Sequence, residues 1–184
     1  MYDDEFELTF DLSDEASRAP EPEQEPVQEA APEPAAETEP PVEAVPEPAV
    51  PAANGRCVLI SGGDRGIGAA AARAFWQEGY RVAVLYHTHA EAAAALEKAL
   101  PGLLAVQCDV ASRASCEVAF HTVEQAVGHV DVLVSNAGIA QQKLFTDITP
   151  EEWQHMLDVN LSGAFHLCQL ALPGMIRRKA GRIL

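Results

Sequence analysis

An apolar run, Cys57-Val58-Leu59-Ile60, leads into Ser61-Gly62-Gly63-Asp64-Arg65-Gly66-Ile67-Gly68, and an alanine-rich segment from Ala69 to Phe75 follows. This order constrains the chain more than any other stretch. An apolar strand enters, glycines spaced G-x-x-x-G-x-G let the backbone turn sharply and approach a ligand closely, and a helix leaves with unpaired N–H groups aimed at an anion. A helix N-terminus carries about half a positive charge, so a diphosphate there meets donors and a favourable dipole together. Taken alone, the same glycines also serve as a plain turn.

The segments that follow alternate in type. Val58 to Ser61 reads as a strand, Ile67 to Glu78 as a helix, Arg81 to Tyr86 as a strand and Ala90 to Ala99 as a helix. Leu103 to Asp109, Ser112 to Val127 and Val130 to Ser135 continue as strand, amphipathic helix and strand. This rhythm with apolar strands predicts an α/β fold, a Rossmann-type doubly wound parallel sheet with helices on both faces. Such a sheet takes its ligand beyond the carboxyl ends of its strands, where strand order reverses. Thr149-Pro150-Glu151-Glu152 then combines an N-cap threonine, a first-turn proline and a glutamate three residues after the cap, which predicts a helix start. That helix is expected to run, with a bend near Gly163, to Arg177-Arg178-Lys179 and a stop at Gly181. The basic cluster complements a helix dipole, and its alternative reading is a docking patch for an acidic carrier protein.

Composition separates an arm from this body. Residues 1–53 carry sixteen acidic residues against one basic residue, Arg18, and so account for nearly all of the net charge of −16. Ten of the thirteen prolines lie there too. Prolines lack backbone donors and like charges repel, so residues 1–54 are expected to form a disordered acidic Pro/Glu/Ala-rich arm, with the folded domain over 55–184. Phe6, Leu8, Phe10 and Leu12 alternate with polar residues; this reads either as a docking peptide that adds to a partner's sheet or as an incidental tail. No basic, then apolar, leader opens the chain, and no apolar run reaches the roughly 18–20 residues of a membrane span, so neither secretion nor membrane insertion is expected. The acidic balance argues against a nucleic-acid partner. Cys57, Cys108, Cys116 and Cys168 show no C-x-x-C pairing, which fits a reducing cytoplasm. His87-Thr88-His89 lacks companions of ligand spacing, so no metal is expected.

Four motifs, the glycine turn, Cys108-Asp109-Val110, Ser135-Asn136-Ala137-Gly138 and Asn160-Leu161-Ser162-Gly163, together resemble those of the short-chain dehydrogenase/reductase family. The resemblance covers about Arg56 to Leu184. It is nearest to the 3-oxoacyl carrier-protein reductases, through Asn136-Ala137-Gly138-Ile139, Thr149-Pro150-Glu151-Glu152-Trp153 and Pro173-Gly174-Met175-Ile176 with Gly181-Arg182-Ile183. It implies a nicotinamide dinucleotide on Gly62, Gly63, Asp64, Arg65, Gly66, Ile67 and Gly68. It further implies adenine at Asp109 and Val110, and nicotinamide ribose along the backbone of Asn136, Ala137 and Gly138. Asn160 stands where the family carries a catalytic asparagine that bends the long helix and holds a water beside the active-site lysine. Two departures are visible: Asp64 replaces the usual serine inside an anion-binding turn, and Ser135 replaces the first asparagine of the usual pair.

Cofactor choice follows from charge. A carboxylate at the end of the second strand would bond a free ribose 2′-hydroxyl and repel a phosphate, but Leu85-Tyr86-His87 offers none. Arg65 is a permanent cation where family members preferring the phosphorylated cofactor tend to carry one, so NADPH is expected over NADH. The family transfers hydride to a carbonyl while a tyrosine gives the proton, a lysine lowers that tyrosine's pKa and a serine polarises the carbonyl. The tyrosines here, Tyr2, Tyr80 and Tyr86, have no lysine four residues on. The sequence ends at Leu184, at the start of an expected fifth strand, so it reads as the N-terminal portion of an enzyme, inactive alone, with Leu133, Val134 and the long helix expected to leave apolar surface uncovered.

The activity this implies is reduction of a carbonyl substrate, a 3-oxoacyl thioester carried on acyl carrier protein, by a homo-oligomer (dimer or tetramer) of the full-length protein. Ile139 to Phe145 also resembles reductases acting on 5-aminopentanone-modified elongation factor P. A reading of another class is a nucleotide-binding or interaction module without catalysis.

Overall fold

The computed structural model describes residues 51–184; the acidic arm and its Phe6–Leu12 pattern fall outside the described residues. The body begins with Asn54, whose backbone N–H donates to the Gly79 carbonyl at 2.9 Å and whose side chain donates to the Glu78 carbonyl at 2.8 Å.

The elements are β1 (Cys57–Ser61), α1 (Gly66–Gln77), β2 (Arg81–Tyr86), α2 (Ala90–Ala99), β3 (Leu104–Gln107), α3 (Arg113–Val127) and β4 (Val132–Val134). A 3₁₀ turn (Phe145–Asp147), α4 (Pro150–Leu157), a π-helical segment (Asp158–Ser162), α5 (Gly163–Arg178) and β5 (Arg182–Ile183) complete them. The described strands form one parallel sheet in the order β3-β2-β1-β4-β5. Leu59 stands beside Ala83 on one side and Leu133 on the other, so β1 is the middle of the sheet.

The alternation of side chains along each strand sends two sets of apolar residues to opposite faces. Leu59, Ala83, Leu85 and Leu133 pack with Cys116, Phe120 and Val123 of α3 and Leu167, Ala171 and Met175 of α5. Val58, Ile60, Val82, Val84 and Val132 pack on the other face with Ala72 and Trp76 of α1 and Leu96 of α2. A fully buried Leu or Ile contributes about 1.5–3 kcal/mol. The fully buried β1 therefore holds the sheet together far more than β5, whose two residues are exposed.

This packing bears on three expectations. Leu133 is fully buried rather than uncovered, because β5 pairs with β4 and α5 lies over that face. The long helix does leave apolar side chains exposed, namely Leu161, Phe165, Leu172 and Ile176. That helix is not one α-helix bent at Gly163: a π-helical segment over Asp158–Ser162 joins α4 to α5 just before that glycine. The basic cluster at its end is also partly used internally. Arg178 donates to the Val130 carbonyl at 2.9 Å and lies 3.9 Å from Asp131, while Lys179 takes a left-handed conformation, φ 51°, that closes the helix. Only Arg177 and Lys179 of the three remain exposed.

Candidate active site

A cleft of about 420 Å³ opens at the carboxyl ends of the strands, beside the point where the chain order reverses from β1 to β4. Its lining includes Gly62, Asp64, Arg65, Gly66 and Ile67 from the turn and His87 from beyond β2. Asp109 and Val110, and Asn136, Ala137 and Gly138, complete the predicted set on its walls. Gly63, Gly68 and Asn160 stand behind these walls and shape them.

The turn fits a closely approaching anion for local reasons. Gly62 has φ 62°, a conformation that side-chain-bearing residues rarely adopt. A Cβ on Gly68 would run into the Gly62 carbonyl and the Asn136 side chain, so only glycine lets the first turn of α1 lie against the loop. Gly63 is a packing position, since a Cβ there would come within 2.6 Å of Val84. Arg65 is the N-cap of α1 and makes no side-chain capping bond. The leading N–H groups of a twelve-residue helix thus have no side-chain acceptor.

The loop after β4 is locked to this turn by two side chains. Ser61 Oγ accepts from the backbone N–H of Asn136 and of Ala137, each at 3.0 Å. The Asn136 amide donates to the carbonyls of Ser61 and Gly62, again at 3.0 Å. Asn136 therefore contributes more than close backbone: it ties two loops into one wall. Asn160, in the π-helical segment, pairs with both backbone groups of Ile139, accepting from its N–H at 2.8 Å and donating to its carbonyl at 3.0 Å. Its side chain fixes the next stretch of the same wall.

Asp109 does not cap α3. Ser112 does so through the Ser115 N–H at 3.3 Å, and Asp109 Oδ1 instead accepts from Ala111 N at 3.0 Å in a tight turn on the cleft wall. Gly163 lets the start of α5 press on Val110, because a Cβ there would meet Val110 at 2.9 Å. Cys108 and Cys116 lie in contact below, with sulfurs 4.0 Å apart. That contact with Cys116 is the main influence lowering the Cys108 thiol's pKa, whereas the same contact and burial raise that of Cys116.

Asp64 neither faces solvent nor caps α1. Its side chain is 5% exposed, with Oδ2 lying 3.6 Å from His89 Nδ1. His89 Nε2 in turn lies 3.2 Å from Arg65 Nη1. The turn is not blocked, since Asp64, Arg65 and His89 all line the open cleft. Ser61 and His89 escape a reading of motifs alone. Ser61 was visible as the last strand residue before the glycines, but nothing in sequence shows which loop its hydroxyl receives; His89 was visible only as a histidine of no evident partner.

No group of three or more His, Cys, Asp or Glu side chains among the described residues is arranged to hold a metal ion. No helix among them is long and apolar enough to cross a membrane.

The sequence profile of the short chain dehydrogenase family matches residues 56–184. The chain is 37% identical over 129 residues to an acetoacetyl-CoA reductase of Paracoccus denitrificans, a match covering 70% of this chain and 53% of that protein. It is 40% identical over 134 residues to a 3-oxoacyl-(acyl-carrier-protein) reductase of Mycobacterium avium, covering 73% and 49%. Among solved structures, a short-chain dehydrogenase from Novosphingobium aromaticivorans, described as putative, superposes with a TM-score of 0.63 at 31% identity, covering 67% of this chain and 47% of the other. The chain spans about half the length of the curated relatives it matches. On the matched profile, the parallel sheet and the cleft at its strand ends, the chain belongs to the short-chain dehydrogenase family.

Proposed function

We propose that this chain forms the dinucleotide-binding portion of an NADPH-dependent carbonyl reductase acting on a 3-oxoacyl thioester, which it converts to the 3-hydroxyacyl form. The observation that carries this reading is the convergence of the glycine turn, Asp109-Val110 and Asn136-Ala137-Gly138 on one cleft at the strand ends. The cradle suits a nicotinamide dinucleotide, because Gly62 and Gly66 both take positive φ and Gly66 has open space beside it at a helix terminus whose N-cap makes no side-chain bond.

In this reading, the dinucleotide supplies the hydride when bound. The leading N–H groups of α1 would hold its diphosphate, and the Asp109 carboxylate would accept from the adenine amino group. The backbone of Asn136 to Gly138, fixed by Ser61 and the Asn136 amide, would carry the nicotinamide ribose. Asn160 holds Ile139 in place beside this wall, from the π-helical segment that joins α4 to α5. Arg65 and the absence of a carboxylate at Tyr86-His87 favour the 2′-phosphate of NADPH. The substrate class rests on the relatives, whose names specify acetoacetyl-CoA and 3-oxoacyl carrier-protein substrates, both 3-oxoacyl thioesters.

Dinucleotide titration followed by cofactor fluorescence tests the reading. NADPH is expected to bind more tightly than NADH, and Arg65→Gln to weaken NADPH by about tenfold, ~1.4 kcal/mol, with little effect on NADH. Tighter binding of NADH, or binding of neither, would overturn it.

A further inference from the structure

Asp64 is not explained by folding alone. A buried carboxylate oxygen without a donor is costly, and Asp64 Oδ2 is buried with no hydrogen-bond partner, inside a turn that suits an anion. His89 Nδ1, at 3.6 Å, is just beyond hydrogen-bond range. The other ring nitrogen settles the tautomer. A guanidinium can only donate, so Nε2, at 3.2 Å from Arg65 Nη1, accepts, and the ring proton sits on Nδ1 facing Asp64 and Thr88 Oγ1. Cation, neutral imidazole and anion thus stand in a row along the cleft wall.

Resting on the cofactor reading above, we propose that His89 is a specificity-determining residue for the 2′-phosphate of NADPH and takes up a proton when that phosphate binds. A phosphate arriving at Arg65 competes for the guanidinium and leaves the Nε2 lone pair facing anionic oxygens, which repels. Protonation of Nε2 turns that repulsion into a charge-assisted hydrogen bond. The imidazolium then donates from both nitrogens, to phosphate on one side and toward the waiting Asp64 carboxylate on the other. The proton comes from solvent, and no other bond is made or broken. NADH brings no phosphate, so the contact between Arg65 and His89 persists and no proton is needed.

The surrounding charges fit this switch. Asp64 favours the imidazolium, and Glu91 stands two residues on, in the first turn of α2. Arg65 and the N-terminus of α2, whose N-cap is His89 itself, oppose it in the free protein. His87, Asp109 and His155 line the same cleft. A dianionic phosphate is the added charge that tips the balance, and it is present only in the phosphorylated cofactor.

Calorimetric titration of NADPH and NADH near pH 8, in buffers of different ionisation enthalpy, counts the protons exchanged. A phosphate monoester has a second pKa of about 6, so at that pH its own titration adds little. The expected result is a substantial fraction of a proton taken up with NADPH and none with NADH. NADPH affinity should fall by up to about tenfold per pH unit above neutrality while NADH affinity stays level. His89 is half exposed, so His89→Gln should fold normally. It should abolish the uptake and flatten the NADPH profile, so that the preference for NADPH over NADH no longer changes with pH. NADPH binding without proton uptake, or equal uptake in His89→Gln, would overturn the proposal and leave the cofactor reading standing. Failure of both dinucleotides to bind would overturn both.

Discussion

Ser61 shows how much one hydroxyl can hold. It is 1% exposed and its Oγ receives two backbone N–H groups from the neighbouring loop, while Asn136 answers with two bonds in the opposite direction. Ser61→Ala would leave both N–H groups without an acceptor, and we expect a loss of about 1–3 kcal/mol, measured as a lowered urea midpoint. Ser61→Thr keeps the oxygen and should restore most of that loss. An alanine variant as stable as the parent would show that the hydroxyl does not bear this weight. At this scale the sequence was legible wherever backbone geometry demanded a residue type, as at Gly62 and Gly68. It was silent where a side chain's value lies in a partner 75 or 25 positions away, as with Ser61 to Asn136 and Asp64 to His89. A short polar residue at a strand end looks the same whether its oxygen is occupied or idle.

Helix starts depend on few residues, and α4 carries its signals locally. Thr149 Oγ1 accepts from Glu152 N at 3.2 Å and Glu152 Oε2 accepts from Thr149 N at 3.0 Å, with Pro150 at the first helical position. This capping box was readable because every partner lies within four residues. Lys143, which reaches Glu152 from the preceding loop, was not. That lysine, then the Thr149 N–H, hold the Glu152 carboxyl down to about 2 from its ordinary 4.5. A depressed carboxylate stabilises the fold above its unfolded-state pKa, and the contribution fades as pH falls through the folded value. Urea midpoints between pH 5 and 2.5 should therefore drop less steeply in Glu152→Gln than in the parent, and parallel curves would sink the expectation. The π-helical segment after α4 had no such local mark. It is set by the demand that Asn160 reach both backbone groups of Ile139 while Gly163 presses on Val110, and these contacts join distant stretches.

Taken whole, the molecule divides by composition into an arm and a body. Ala52 and Asn54 lie against the Gly79 turn, so removal of residues 1–50 spares every contact described. We expect that deletion to leave the thermal midpoint and NADPH affinity unchanged, checked by circular dichroism and cofactor titration; a large loss in either would make the arm part of the working machine. The sequence by itself determined the alternation of strand and helix, the parallel sheet and the glycine turn, because apolar period, turn chemistry and capping act between near neighbours. Only the tertiary structure decided that α3 and α5 share one face and α1 and α2 the other, that Leu133 is covered, and that Asp64, Arg65 and His89 stand in one row. Those outcomes depend on how strands from far-apart positions come side by side, which is fixed by the burial of the whole sheet rather than by any local stretch.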